Sequence, residues 1–325
     1  MRLLIIKPSS LGDIICSLPV AQSIRDQLPD AQISWVVKSR FADIVRRCPT
    51  VNGEIIEFQH APGLRGLLAI ARVMKTLRSR HYDAVLDFQG LLRSGLMTWA
   101  ANAPLKVGIA DAREGSRFAC SHIAPLPPTG KNSHAIRKLL QFLPAIGLQP
   151  RLYSPVVMNG DSPDALDHRL QRPRLVVMIP NSRGAHKEWR GFRELTCDLL
   201  QADPHCTVVW DSHLPWDSPE LRDRDRFVNL TRRSSLPQLI ELLRRADLVI
   251  ANDSGPLHMA AALGRPTLAL FGPTSPDRFG AFPPEEPRNR FLEAPDGDLT
   301  RLPVSTVLQA ALEMLNPAHS QRIAA

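Results

Sequence analysis

No run of the roughly 18 apolar residues needed to cross a bilayer as a helix occurs in this sequence of 325 residues. The apolar opening Leu3-Leu4-Ile5-Ile6 is also too short for the roughly 7–15 residues of an export signal, and Lys7 ends it. Cysteine is sparse: Cys16, Cys48, Cys120, Cys197 and Cys206 are odd in number, scattered, and never spaced as CxxC. That excludes a disulfide framework and a cysteine zinc site, and fits a reducing, cytoplasmic compartment. Aromatic residues make up only 6% of the chain and no RNA- or DNA-binding motif is present, so nucleic acid is not the expected partner. GxGxxG is missing, which argues against a dinucleotide-dependent oxidoreductase, and no Gly-Lys-Ser/Thr ending marks a P-loop. What is present is positive charge. The formal net charge of +8 points to an anionic partner, either a phosphorylated substrate or an anionic membrane surface.

Short apolar runs alternate with helical patterns in two series. Strands are predicted at Leu3–Ile6, Ile33–Val37, Glu54–Phe58 and Ala84–Phe88, with helices at Ile14–Leu28, Phe41–Arg47 and Leu67–Leu77. Pro19 predicts a kink or a late start in the first helix. Prolines 125, 127, 128, 144, 150 and 155 then change the texture around a basic helix, His134–Phe142. The second series has strands at Leu175–Ile179, Thr207–Trp210, Leu248–Ala251 and Thr267–Phe271. Its helices are predicted at Phe192–Leu200, Leu236–Arg245, Leu257–Leu263 and Val304–Leu315. The expected fold is therefore α/β: two Rossmann-like, doubly wound parallel-sheet domains facing a central cleft. The expected domains are 1–155 and 156–325, with the helix 304–315 a candidate to pack back on the first domain.

Ligands of such sheets bind at the carboxyl ends of the strands, so the strand-end turns carry the candidate chemistry. The first is Lys7-Pro8-Ser9-Ser10-Leu11-Gly12-Asp13, where Asp13 is either a reactive carboxylate or part of a helix cap. The second is Asn181-Ser182-Arg183-Gly184-Ala185-His186-Lys187-Glu188-Trp189, with Arg183 and Lys187 able to neutralise phosphate and Ser182 able to donate to it. The third is Asn252-Asp253-Ser254-Gly255-Pro256-Leu257-His258, which opens a helix after a buried strand and so presents free amides and a positive helix end. Phe271-Gly272-Pro273-Thr274 repeats a glycine turn at the next strand end. Two adjacent turns of this kind suit a diphosphate. Asp223-Arg224-Asp225 and Asp296-Gly297-Asp298 have the form of a cation-binding Asp-x-Asp but follow no clear strand, and read as solvated loops. Trp99, Trp189, Trp210 and Trp216 are more in keeping with core packing than with stacking on a sugar or base.

These four turns, together with Asp87-Phe88-Gln89-Gly90, occur in an order that resembles glycosyltransferase family 9, the ADP-heptose:lipopolysaccharide heptosyltransferases. The resemblance covers the chain from Lys7 to about Pro276. It implies a GT-B fold with the acceptor site in the first domain and the donor site in the second. It implies inversion at the anomeric carbon, no metal and no cofactor besides the donor ADP-heptose. Asp13 matches the general base and Lys187 the residue holding the donor phosphates. Ser9, Ser10, Gly12, Ser182, Arg183, Asp253, Ser254, Gly255, Leu257, His258 and Thr274 match donor contacts. Gln89, Arg93, Arg65 and Arg117 are the corresponding acceptor candidates, with further basic residues at Arg72, Lys75, Arg78, Arg80 and Arg113. The implied acceptor is an anionic lipopolysaccharide precursor, Kdo-lipid A or a heptosylated core, met at the inner face of the cytoplasmic membrane. Two alternatives stand beside this reading: a transferase of the same fold using another nucleotide sugar or a protein or glycan acceptor, and a non-catalytic nucleotide-sugar binder. The stretch Asp211–Asp225 is where donor specificity is expected to diverge.

Overall fold

The computed structural model describes residues 1–59, 61–172, 174–182, 184–221 and 224–316. The chain divides into two compact units, the first ending at Met158 and the second beginning at Asn159. In the first unit the strands are β1 (Arg2–Ile6), β2 (Gln32–Lys38), β3 (Ile55–Phe58), β4 (Ala84–Leu86), β5 (Leu105–Ile109) and β6 (His122–Ala124). Its helices are α1 (Leu11–Gln27), α2 (Ala42–Arg46), α3 (Gly63–Arg78), α4 (Leu92–Ala100) and α5 (Ala135–Leu140). All strands pair in parallel in the order β3-β2-β1-β4-β5-β6, with Leu3 opposite Ile33 on one side and Ala84 on the other. This is the doubly wound order in which the strand sequence reverses at β1 and β4, and ligands collect at the carboxyl ends beside that reversal.

The central strands form because Leu3-Leu4-Ile5-Ile6 and Val85-Leu86 have no polar face to leave in water, and all six of these residues are buried. One side of the sheet packs Leu4, Ile6, Val36, Ile56 and Val85 against Val73 and Leu77 of α3 and Met97 of α4. Helix α1 begins at Leu11, three residues ahead of the start the apolar pattern gives, and runs through Pro19 without ending. Strands β5 and β6 and helix α4 have no counterpart in the pattern reading.

The second unit repeats the plan. Its strands are β7 (Arg174–Ile179), β8 (Cys206–Trp210), β9 (Phe227–Asn229), β10 (Leu248–Asn252), β11 (Thr267–Phe271) and β12 (Asn289–Glu293). Its helices are α6 (Phe192–Ala202), α7 (Leu236–Arg245), α8 (Gly255–Ala262), α9 (Pro276–Phe279) and α10 (Val304–Leu315). The parallel order is β12-β11-β10-β7-β8-β9, again reversing at the first and fourth strands of the unit, β7 and β10. An aromatic chain fills one side of this sheet. Trp189 meets Phe192 edge-on at 5.2 Å, Phe192 meets Trp216 at 6.2 Å, and Trp210 meets Trp216 at 5.9 Å and Phe227 at 5.3 Å. Trp189 and Trp210 are core residues and Trp216 packs against them, whereas Trp99 is exposed.

Helix α10 lies within the second unit. Its inward residues Val307, Ala310 and Ala311 are buried in the same core as Trp189, Phe192 and Leu270, and it packs on α6 and β10 of its own unit.

Candidate active site

In the second unit the turns after β7, β10 and β11 converge on one carboxylate. Asp253 follows β10, and its Oδ2 accepts from Lys187 Nζ at 2.9 Å and from Thr274 Oγ1 at 3.0 Å. Its backbone carbonyl accepts from Ser182 Oγ at 2.6 Å. Three segments far apart in sequence are thus tied within one hydrogen-bond length of Asp253. Lys187 Nζ also lies 5.7 Å from the centre of the Phe279 ring, on α9. The ion pair is partly open, with the side chains 24% and 11% exposed, so the ammonium is held yet reachable.

A buried frame holds this cluster. Asn252 ends β10, donates from Nδ2 to the Pro180 carbonyl at 2.8 Å, and accepts the Trp189 amide on Oδ1 at 3.1 Å. Glu188 Oε1 accepts the Ser182 amide at 3.0 Å and Asn181 Nδ2 at 3.3 Å. Trp189 Nε1 is anchored to the Leu302 carbonyl at 3.0 Å. The loop carrying Lys187 is therefore fixed on both sides of the lysine. Asn252 and Glu188 occur in the motifs without a role of their own. The buried amide at a strand end and the carboxylate beside Lys187 are the signals that single them out.

Ser254 caps α8, and its buried Oγ has no hydrogen-bond partner among the described residues. Gly255 opens the helix with no heavy atom within 4 Å of the place a Cβ would occupy. A free hydroxyl and an uncrowded helix start are what an anionic oxygen needs for close approach. Leu257 is different: its side chain lies in the core, leaving only its backbone for a ligand. His258 is half-buried on the same helix, and Arg183 lies outside the described residues.

The first unit assembles a second group at the ends of β1, β2 and β4. Asp13 lies in the first turn of α1, where Ser10 caps the helix and donates to Asp13 Oδ2 from its amide at 2.9 Å and its hydroxyl at 3.0 Å. Both the capping and the reactive interpretation of Asp13 are compatible with this geometry. The two bonds fall on one oxygen, and the carboxylate is exposed. Gly12 meets nothing within 4 Å. Buried Lys7 donates to the Phe88 carbonyl at 3.1 Å. Burial lowers its pKa, against the pull of the Asp13 and Asp87 carboxylates.

Asp87 organises the next turn. It accepts from the amides of Gln89 and Gly90 at 3.1 and 3.0 Å and from Ser94 Oγ at 3.0 Å, while burial pushes its pKa up. Gly90 has a φ of +64°, and a Cβ there would come within 3.2 Å of Ala112, so the turn requires glycine. This places Gln89 Oε1 3.3 Å from the Ser9 amide, so two of the sequence candidates meet.

Lys38, at the end of β2, has its pKa lowered by burial and then by the positive charges of Arg93 and Arg40. Lys38 and Arg40 thus lie near Arg93, and the motifs supplied neither. Arg65 is exposed at the start of α3, and Arg117 donates to the Ala110 carbonyl at 3.5 Å. Arg80 is ion-paired to Glu54 at 3.0 Å. The Asp296-Gly297-Asp298 loop is internally used: Asp296 pairs with Arg301, and Asp298 caps Thr300 at 2.9 Å. Asp223 lies outside the described residues.

The family model of glycosyltransferase family 9 (heptosyltransferase) matches residues 70–295, which contain the whole Lys187–Asp253–Thr274 cluster. The chain belongs to glycosyltransferase family 9. This glycosyltransferase is 29% identical over 297 residues to lipopolysaccharide heptosyltransferase 1 of Pseudomonas aeruginosa, covering 87% of this chain and 81% of the relative. It is 28% identical to the enzyme of the same name from Escherichia coli K12, with 87% and 91% covered. Among solved structures it resembles E. coli heptosyltransferase WaaC with ADP, with a TM-score of 0.75 at 26% identity over 97% of this chain and 100% of that one. A TM-score of 0.74 at 21% identity to E. coli ADP-heptose lps heptosyltransferase II supports the fold, two Rossmann-like units of the GT-B class.

Proposed function

We propose that this glycosyltransferase moves heptose from ADP-heptose to a hydroxyl of the lipopolysaccharide inner core, with inversion at the anomeric carbon and without a metal. The observation that carries the reading is the Lys187–Asp253–Thr274 cluster beside the start of α8. A departing nucleoside diphosphate needs positive charge and donors already in place where its charge grows. Lys187, the free Ser254 hydroxyl and the first amides of α8 form such a set, and Asp253 holds the ammonium until the donor arrives. Relatives named as lipopolysaccharide heptosyltransferases, and a similar structure described as WaaC with ADP-2-deoxy-2-fluoro heptose, support the choice of donor.

Asp13 is the proposed general base. Both Ser10 donors engage Oδ2, leaving Oδ1 without a partner among the described residues and able to accept the proton of the attacking hydroxyl. In the same unit Lys7 and Gln89 adjoin that turn, and Arg93, beside Lys38, suits an anionic acceptor. A lipid-linked acceptor places the work at the inner face of the cytoplasmic membrane.

The test is stereochemical. NMR of the product formed from an α- or β-configured donor should show the opposite anomeric configuration; retention would overturn the single-displacement role of Asp13. Screening nucleotide sugars for protection against thermal unfolding separates the donor alternatives, since the true donor stabilises the folded state most at a given concentration.

A further inference from the structure

The first two turns of α3 expose three leucines that no part of the proposed chemistry uses. Leu64 is 72% exposed, Leu67 64% and Leu68 50%. Their spacing places them on one helix face with Ala71, while Val73 and Leu77 on the opposite face are buried against the sheet. Single exposed leucines are ordinary, but a contiguous apolar patch on a helix is not.

The residues around the patch say what covers it. The sequence of α3, GLRGLLAIARVMKTLR, has four basic residues, Arg65, Arg72, Lys75 and Arg78, and no acidic one. Lys75 and Arg78 continue the outward strip, and Arg65 and Arg72 flank it. At its far end the Arg78 guanidinium lies 5.0 Å from the centre of the Trp99 ring, itself 53% exposed. Leucines on the outward face, cations beside them and an exposed tryptophan form the pattern of a helix lying in the interface of an anionic bilayer. A second copy of this chain would bring the same four positive charges against themselves.

Gly66 fixes the entry. A Cβ there would lie 2.0 Å from the Ala61 carbonyl oxygen, so the preceding loop folds tightly onto the inner face of α3 and leaves the leucine face clear.

We propose that the outward face of α3, centred on Leu64, Leu67 and Leu68, docks the protein on an anionic lipid surface. The leucines enter the headgroup region, and Arg72, Lys75 and Arg78 meet lipid phosphates. This rests on the acceptor being lipid-borne, as in the proposed function, and gives that acceptor a route to Asp13 and Arg93 in the same unit.

The experiment is flotation of the full chain with vesicles of phosphatidylethanolamine and phosphatidylglycerol, and with phosphatidylcholine vesicles, for wild type and the triple variant Leu64→Gln, Leu67→Gln, Leu68→Gln. Wild type should float with the anionic vesicles, weakening as salt rises. The variant should bind them about a hundredfold more weakly if each leucine half-inserts. Its unfolding temperature should be unchanged, because the replaced side chains are exposed. Transfer to an acceptor embedded in vesicles should fall with binding, while transfer to a deacylated, water-soluble acceptor stays at the wild-type rate. Equal flotation of variant and wild type, or no flotation of wild type, overturns the proposal. So does a change from dimer to monomer in the variant, which would make a second copy the occupant. A protein that floats as expected but transfers no heptose to either acceptor leaves this surface standing and fails the proposed function instead.

Discussion

Replacing Lys187 with methionine removes the cation that pairs with Asp253 while keeping most of the unbranched side chain. Two unit charges 2.9 Å apart attract by about 6 kcal/mol at an effective dielectric near 20. Desolvation and the partial exposure of both groups cancel most of that, so the loss in folding stability should be only roughly 1–2 kcal/mol. The effect on ligand should be larger. A charge-assisted hydrogen bond to phosphate contributes roughly 1.5–3 kcal/mol, which predicts ADP binding weaker by about 10- to 150-fold. Asp253→Asn is the informative partner. It keeps an acceptor for Thr274 but stops neutralising the lysine, so ADP should bind at least as tightly as to wild type. Isothermal titration of ADP into both variants, with urea unfolding alongside, reads these quantities. Wild-type affinity in Lys187→Met would refute the phosphate role. An equal loss in both variants would mean that the pair holds the loop in shape and nothing more.

Other predictions follow from the same geometry. Asp13→Asn should cut turnover by about 10²–10⁴-fold with unchanged donor binding, since the base acts only in the chemical step; stopped-time product assays with parallel titration check this. Its stability should change by less than about 1 kcal/mol, because asparagine still accepts from the Ser10 cap. Asn252→Ala strips partners from both the Pro180 carbonyl and the Trp189 amide, so urea unfolding should show a loss of about 2–4 kcal/mol. Asp211, buried at the end of β8 with one oxygen unpartnered, has its pKa pushed up to about 6 by burial. The native state therefore holds a proton that the unfolded chain releases near 4, and this group's contribution to stability falls as pH rises from about 4 to about 6. Relative to wild type, Asp211→Asn should gain up to about 3 kcal/mol across that window and stay level above it. A difference that does not vary with pH would remove Asp211 from the account.

The central strands were legible because they are buried on both faces: Leu3–Ile6, Leu175–Ile179 and Leu248–Ala251 admit no polar alternation to confuse with a helix. Of the outer strands only β3 was, read as Glu54–Phe58. β6 and β9 are three residues long, and β12 alternates between half-buried and exposed after its first residue. In β5 Lys106 and Gly108 break the apolar run. That glycine is needed because a Cβ would lie 2.6 Å from Cys120 Sγ, a contact invisible in sequence. The candidate site follows the same division. Turns after buried strands marked Lys187, Asp253 and Thr274, but their meeting on one carboxylate oxygen depends on the adjacency of β7, β10 and β11. Lys38 was missed because its significance lies in Arg40 and Arg93 nearby, not in its own neighbours along β2.

The central claim is heptose transfer that needs Asp13 and no metal. Its most direct test is ADP release from ADP-heptose in EDTA, with and without heptose-deficient lipopolysaccharide, for wild type and Asp13→Ala. The account predicts release that depends on acceptor, survives EDTA and collapses in the variant. Release abolished by EDTA and restored by a divalent cation, or undiminished in Asp13→Ala, would contradict it.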